Sequence, residues 1–167
     1  QWVQIFLKEY GILNVKKEIQ KSTKNIDIGN IISCEILTKE TSSLHKISGI
    51  KVLGYYHTAN KSFSEIQMFL QILKIIKKYI PYGYPHFEIY EIVEKIIWKE
   101  NKISFQEILL LYIKILDILW IIPEKIDEIL ILKIISFIRK YWIHDFKKLK
   151  KMDEEQVKTL ENFINSF

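Results

Sequence analysis

The hydrophobic periodicity of this chain changes once, between Tyr56 and Ser62, and that change limits the folds open to it. Before it, apolar residues fall in short β-branched and aromatic runs: Trp2–Leu7, Leu13-Asn14-Val15, Ile31–Leu37 and Ile50–Tyr56. Tyr10-Gly11-Ile12 reads as a turn between the first two, and the polar stretches Lys16–Asn30 and Thr38–Gly49 read as loops. Short strands separated in this way predict a small sheet or barrel.

From Ser62 the pattern is helical. Ser62 with Glu65 forms a capping box, a hydroxyl and a carboxylate that satisfy amides otherwise orphaned at a helix start. Phe63, Ile66, Phe69, Leu70, Leu73, Ile76 and Ile80 follow at helical spacing, and Pro81 stops the run. Pro85 suits a first helical position before Phe87, Tyr90, Val93 and Ile97. A second capping box, Ser104 with Glu107, opens a strongly apolar helix to about Ile121. Pro123 is expected to begin a helix running to about Trp142, and Asp153 with Gln156 caps a last amphipathic helix. The expected class is therefore α+β, mostly α: a β domain over residues 1–58 and a helical bundle over 59–167.

The 167 residues suffice for one full core or for a small module joined to a larger one. Arg139 is the sole arginine and Ala59 the sole alanine, a bias toward Ile and Lys that fits an AT-rich coding sequence and weakens lysine richness as a functional signal. The net charge of +5 attracts polyanions over long range without specifying a fold. The apolar segments are interrupted, by Lys133 in Ile129–Ile138 and by Lys114 and Asp117 in Ile108–Ile122, so none reaches the roughly 18 uncharged residues of a membrane span. Gln1–Tyr10 mixes acidic and basic residues and lacks a cleavage signal, unlike a signal peptide. A soluble, cytoplasmic protein is expected.

Chemistry-bearing motifs are missing from the sequence. It contains no GxGxxG, no GxxxxGK[ST] and no GxSxG, and with glycine only at 11, 29, 49, 54 and 83 a phosphate-cradling loop is hard to build. His45, His57, His86 and His144 are scattered, and Cys34 is the only cysteine, so neither a disulfide nor a CxxC zinc site is expected. Glu91 with Glu94 and Asp127 with Glu128 sit beside lysines, as solvated helix faces do. No catalytic residue, metal or cofactor is expected.

Two basic features remain. Lys16, Lys17, Lys21 and Lys24 share a loop with Ser22, Thr23 and Asn25, further donors to phosphate, and Lys8 lies nearby in sequence. Trp2, Tyr10, Tyr55 and Tyr56 could supply stacking faces to the same region. Arg139, Lys140, Lys147, Lys148, Lys150 and Lys151 cluster near the end of the fourth helix, where the helix dipole favours cations in any protein.

Several of these segments together resemble the RecO family of bacterial recombination mediators. Leu7-Lys8-Glu9-Tyr10-Gly11-Ile12-Leu13 is similar to the family's "t-x-E-Y-G-l-l" strand-turn-strand, and Lys16–Lys24 falls where the family has a basic loop. Ile80-Pro81-Tyr82-Gly83-Tyr84-Pro85-His86-Phe87 resembles "l-P-x-g-x-p-x-p-x-l-f". Leu111–Glu124 follows "F-E-l-k-l-L-d-l-L-G-y-x-P-e", with Trp120 in place of the usual glycine. The family's cysteine-rich zinc module is missing after Pro123, and its loop arginines are lysines here or missing. Members carry a further N-terminal strand, so the resemblance implies an incomplete OB-like barrel followed by the helical bundle.

What the resemblance implies is a non-catalytic protein of DNA repair that binds single- and double-stranded DNA and anneals strands. It would engage the C-terminal tail of single-stranded-DNA-binding protein and work with RecR in recombinase loading. Lys8, Lys16, Lys17, Lys21 and Lys24 would then contact DNA, and Lys114, Arg139, Lys140, Lys147 and Lys148 would face protein partners. The competing reading is a non-catalytic helical subunit of a larger assembly.

Overall fold

The structure is a computed structural model that describes residues 2–17, 27–37, 45–59, 61–98 and 103–167. Four strands come first: β1 (Trp2–Leu7), β2 (Gly11–Lys17), β3 (Asn30–Leu37) and β4 (His45–Tyr55). Five helices follow: α1 (Phe63–Tyr79), α2 (Phe87–Ile97), α3 (Phe105–Ile118), α4 (Ile129–Lys140) and α5 (Glu154–Asn165), with a 3-10 turn at Ile143–Lys148 before the last. The fold is α+β. It divides into two compact units, one of Gln1–Asn60 with Lys77–Asn101, the other of Lys61–Ile76 with Lys102–Phe167.

In the first unit the strands form one open mixed sheet in the order β1-β2-β4-β3. The β1/β2 and β3/β4 pairs are antiparallel, while β2 and β4 run parallel. Alternation sends Ile5, Leu13, Val15 and Ile47 to one face, where they are buried. Val3, Leu7, Ile32, Cys34, Ile36 and Ile50 pack around them half-buried. Burial raises the thiol pKa of Cys34, as expected of a structural cysteine. The connector after α1 docks on the start of β2, where the Gly83 N–H donates to the Ile12 carbonyl at 3.1 Å. This close approach needs Gly11: its φ is +66°, and a Cβ there would lie 2.0 Å from the Tyr84 carbonyl oxygen.

The strands differ from their expected bounds: β2 begins at Gly11, inside the expected turn, β3 takes in Asn30, and two differences are larger. β2 continues through Lys16 and Lys17, and β4 begins at His45 instead of Ile50. In both cases the parallel pairing of 15–17 with 45–47 supplies backbone partners that make an extended strand of a polar sequence.

The second unit is built around α3, against which α4, α5 and the 3-10 turn pack. Its residues 108–113, 115 and 116 are all buried, an apolar run wider than one helical stripe because neighbours cover it on several sides. All three expected capping boxes form. The Ser62 N–H donates to Glu65 at 2.8 Å, and Ser104 and Asp153 accept from the amides of Glu107 and Gln156.

Two helix starts are corrections. Pro85 lies outside α2, whose N-cap is His86 at φ −133° and ψ 82°, a non-helical backbone that separates the proline from the helix. The helix expected from Pro123 to Trp142 spans only Ile129–Lys140. α3 ends in a Schellman turn: the Ile121 N–H donates to the Leu116 carbonyl at 3.0 Å and the Trp120 N–H to Asp117 at 3.1 Å. The chain then runs non-helically to the acidic pair Asp127-Glu128, which marks the dipole-favoured N-terminus of α4. At the other end Tyr141 is extended.

Candidate nucleic-acid interface

The sheet's other face mixes polar and apolar groups. Period-two alternation puts Trp2 and Gln4 on it from β1 and Asn14 and Lys16 from β2. The register sets Trp2 beside Lys16, Lys16 beside Lys46, and Lys46 beside Leu37. One row thus crosses all four strands with two lysines at its centre and exposed apolar groups at its ends, Trp2 at 57% and Leu37 at 59% exposure.

One row along the strands, Gln4 faces Asn14. The Gln4 side-chain nitrogen donates to Asn14 Oδ1 at 3.0 Å and to the Tyr82 hydroxyl at 2.6 Å. Trp2, Val3, Gln4 and Asn14 line a shallow cavity beside the lysine row. Farther along the same face Phe6 packs against Tyr90 of α2, ring centroids 5.8 Å apart, which closes that end of the surface.

Of the lysines expected to contact nucleic acid, Lys16 lies in this row, and Lys17 closes β2. Lys8 is exposed in the β1–β2 turn, at the opposite end of the hairpin from Lys16. Lys21 and Lys24 fall outside the described residues. Of the aromatics, Trp2 joins the row, Tyr10 is exposed at the turn, Tyr56 is buried, and the Tyr55 ring lies tilted against His57, centroids 3.9 Å apart.

The second set, in the helical unit, is largely engaged locally. Arg139 holds Asp117 through two nitrogens, at 2.8 and 2.7 Å, and that hydrogen bond raises the guanidinium pKa further. Lys148 pairs with Asp145, and Lys140 lies over the Tyr141 ring at 5.4 Å. Lys147 belongs to the 3-10 turn, and Lys114 is half-buried on α3.

Sequence reasoning overlooked Lys46, Gln4, Asn14 and Tyr82. The two amides carried a weak signal, since polar residues alternating with Val3, Ile5, Leu13 and Val15 mark the outward face of a strand pair. Lys46 carried none, because only the parallel β2/β4 pairing places it.

Among the described residues no cluster of His, Cys, Asp or Glu could hold a metal ion, and no helix is long and apolar enough to cross a membrane. Compared with family models, curated proteins and solved structures, the chain matches none.

Proposed function

We propose that this chain is a non-catalytic DNA-binding protein of recombinational repair, of the kind the RecO resemblance implies. The observation that carries the reading is the row Trp2-Lys16-Lys46, a stacking ring beside paired cations on an open sheet face. Single-strand binders combine these two elements: cations track the phosphates and rings accept successive bases without regard to sequence. A protein whose work is to hold and align strands needs no bond-breaking residues.

Two features support the family reading. The strand order and the parallel central pair are those of an OB barrel counted from its second strand, and the half-buried Val3, Leu7, Ile32 and Ile36 lie on the two edge strands that a closing strand would pair with. In addition, Gly11, Gly83 and Trp120, all placed where the family pattern has glycine, all have left-handed φ, at 66°, 77° and 55°. The helical unit would be the bundle of such a protein and would meet the tail of single-stranded-DNA-binding protein and RecR, in the cytoplasm. A second reading, an assembly subunit, draws on large exposed apolar groups in that unit: Trp120 at 92%, Phe63 at 81% and Ile129 at 67%.

A salt titration separates the two. Single-stranded DNA should bind with an affinity that falls steeply with salt, and Lys16→Glu with Lys46→Glu should lower the slope of log K against log salt by about 1.4, near 0.7 per contact. No binding of the unaltered chain at low salt would sink the DNA reading and leave the assembly subunit.

A further inference from the structure

Resting on that nucleic-acid reading, we infer that Trp2, Gln4 and Asn14 form a subsite for one unpaired base, so that the sheet face selects single strands over duplex. The four positions Trp2, Gln4, Asn14 and Lys16 make a square on one face of the β1/β2 pair, Trp2 opposite Lys16 and Gln4 opposite Asn14. The two bonds from Gln4, to Asn14 and to Tyr82, take both hydrogens of its amide nitrogen and engage Asn14 through its oxygen. They also fix both amide orientations. The pair can then offer a base the acceptor Gln4 Oε1 beside the Asn14 amide nitrogen, Nδ2, with its two N–H donors.

Every nucleobase carries a hydrogen-bond donor next to an acceptor on its Watson–Crick edge. In a duplex that edge is already paired and the base is stacked on both sides. The amide pair therefore reads whether a base is unpaired without reading which base it is. Trp2, half-exposed where it lines the cavity with Gln4 and Asn14, supplies the stacking plane. Lys16 and Lys46, in the next row, are placed for the flanking phosphates. Tyr82 acts through Gln4 as a positioning residue, since its hydroxyl accepts from the amide nitrogen and holds the oxygen away from itself.

The test compares three probes of equal length at one salt concentration: a mixed-sequence single strand, its duplex, and an abasic single strand with the same phosphates and no bases. The single strand should bind about tenfold more tightly than the abasic strand, the fold-change of one stacking contact. Trp2→Ala, and separately Gln4→Ala with Asn14→Ala, should remove most of that difference and leave duplex affinity unchanged. Lys16→Ala should weaken all three probes. Equal affinity for the intact and abasic strands overturns the subsite whether or not any variant folds, and leaves the DNA-binding reading intact. Failure of every probe to bind overturns both.

Discussion

The helix α3 and the inner face of the sheet bury their apolar residues to different degrees, and the difference shows what each sequence pattern can specify alone. In the helical unit, Ile108, Leu109, Leu110, Leu111, Ile113, Ile115 and Leu116 are at 0% exposure, enclosed by elements that follow in the chain. On the inner face of the sheet, Ile5, Leu13, Val15 and Ile47 are the buried ones among the described residues, and more residues around them are half-open than closed. Side-chain burial contributes roughly 1.5–3 kcal/mol for each large aliphatic group. The helical core is therefore the deeper energy reserve. The sheet depends on single positions: a glycine that admits the connector, and a register that a slip of one residue would invert.

The largest effect should come from truncating the deeper core. Leu110→Ala, at a site with neighbours all round, should cost about 3–4 kcal/mol by denaturant titration, whereas Ile36→Ala on the half-open β3 should cost about half as much. Equal losses at the two sites would erase the contrast between the units.

Next comes Gly11→Ala. Alanine at φ +66° costs about 1 kcal/mol, and its Cβ would fall 2.0 Å from the Tyr84 carbonyl, so either the connector or β2 must move. A total loss of about 2–3 kcal/mol is expected, with faster hydrogen exchange at the Gly83 amide while the α3 amides keep their protection. Uniform acceleration across both units would show that they unfold together, and the contrast would then describe packing only.

Legibility followed the same division. The three capping boxes are local signals, each complete within four residues, and each forms as read. The four strands were legible from short apolar runs, but their neighbours were not. The parallel β2/β4 pair joins segments about 30 residues apart, and no local propensity encodes which edges meet. Lys46 was invisible for that reason, lying in a stretch whose serines, threonines and glycine read as a loop. The misplaced start of α4 has a different cause: Pro123 reads as a helix opener, whereas the signal that matters is the acidic pair Asp127-Glu128 immediately before the helix's first residue, Ile129. Trp120 was equally invisible: its backbone is left-handed, with φ 55° at the end of α3, a requirement that a tryptophan does not announce in the sequence.

The smallest effect tests whether a single cap of the helical unit behaves as a local device. Burial pushes the Glu65 carboxyl up, but hydrogen bonds from the Ser62 N–H, Lys61 and the Ser62 hydroxyl outweigh it and hold the carboxyl below its ordinary range. A folded-state pKa below the unfolded one means that the ionised form stabilises the fold. That contribution is complete above the unfolded value, near 4.3, and is lost as pH falls through the lowered folded value. Carboxyl titration by NMR should therefore give Glu65 a midpoint below that of a model peptide, and Ser62→Ala should move it back up. The amides of the first turn of α1 should exchange faster as the pH falls through this midpoint, and Glu65→Gln should remove that step, because glutamine keeps an acceptor for the Ser62 amide but has no proton to gain. A midpoint at the ordinary value would mean that the box caps α1 through geometry alone, with the charge contributing nothing.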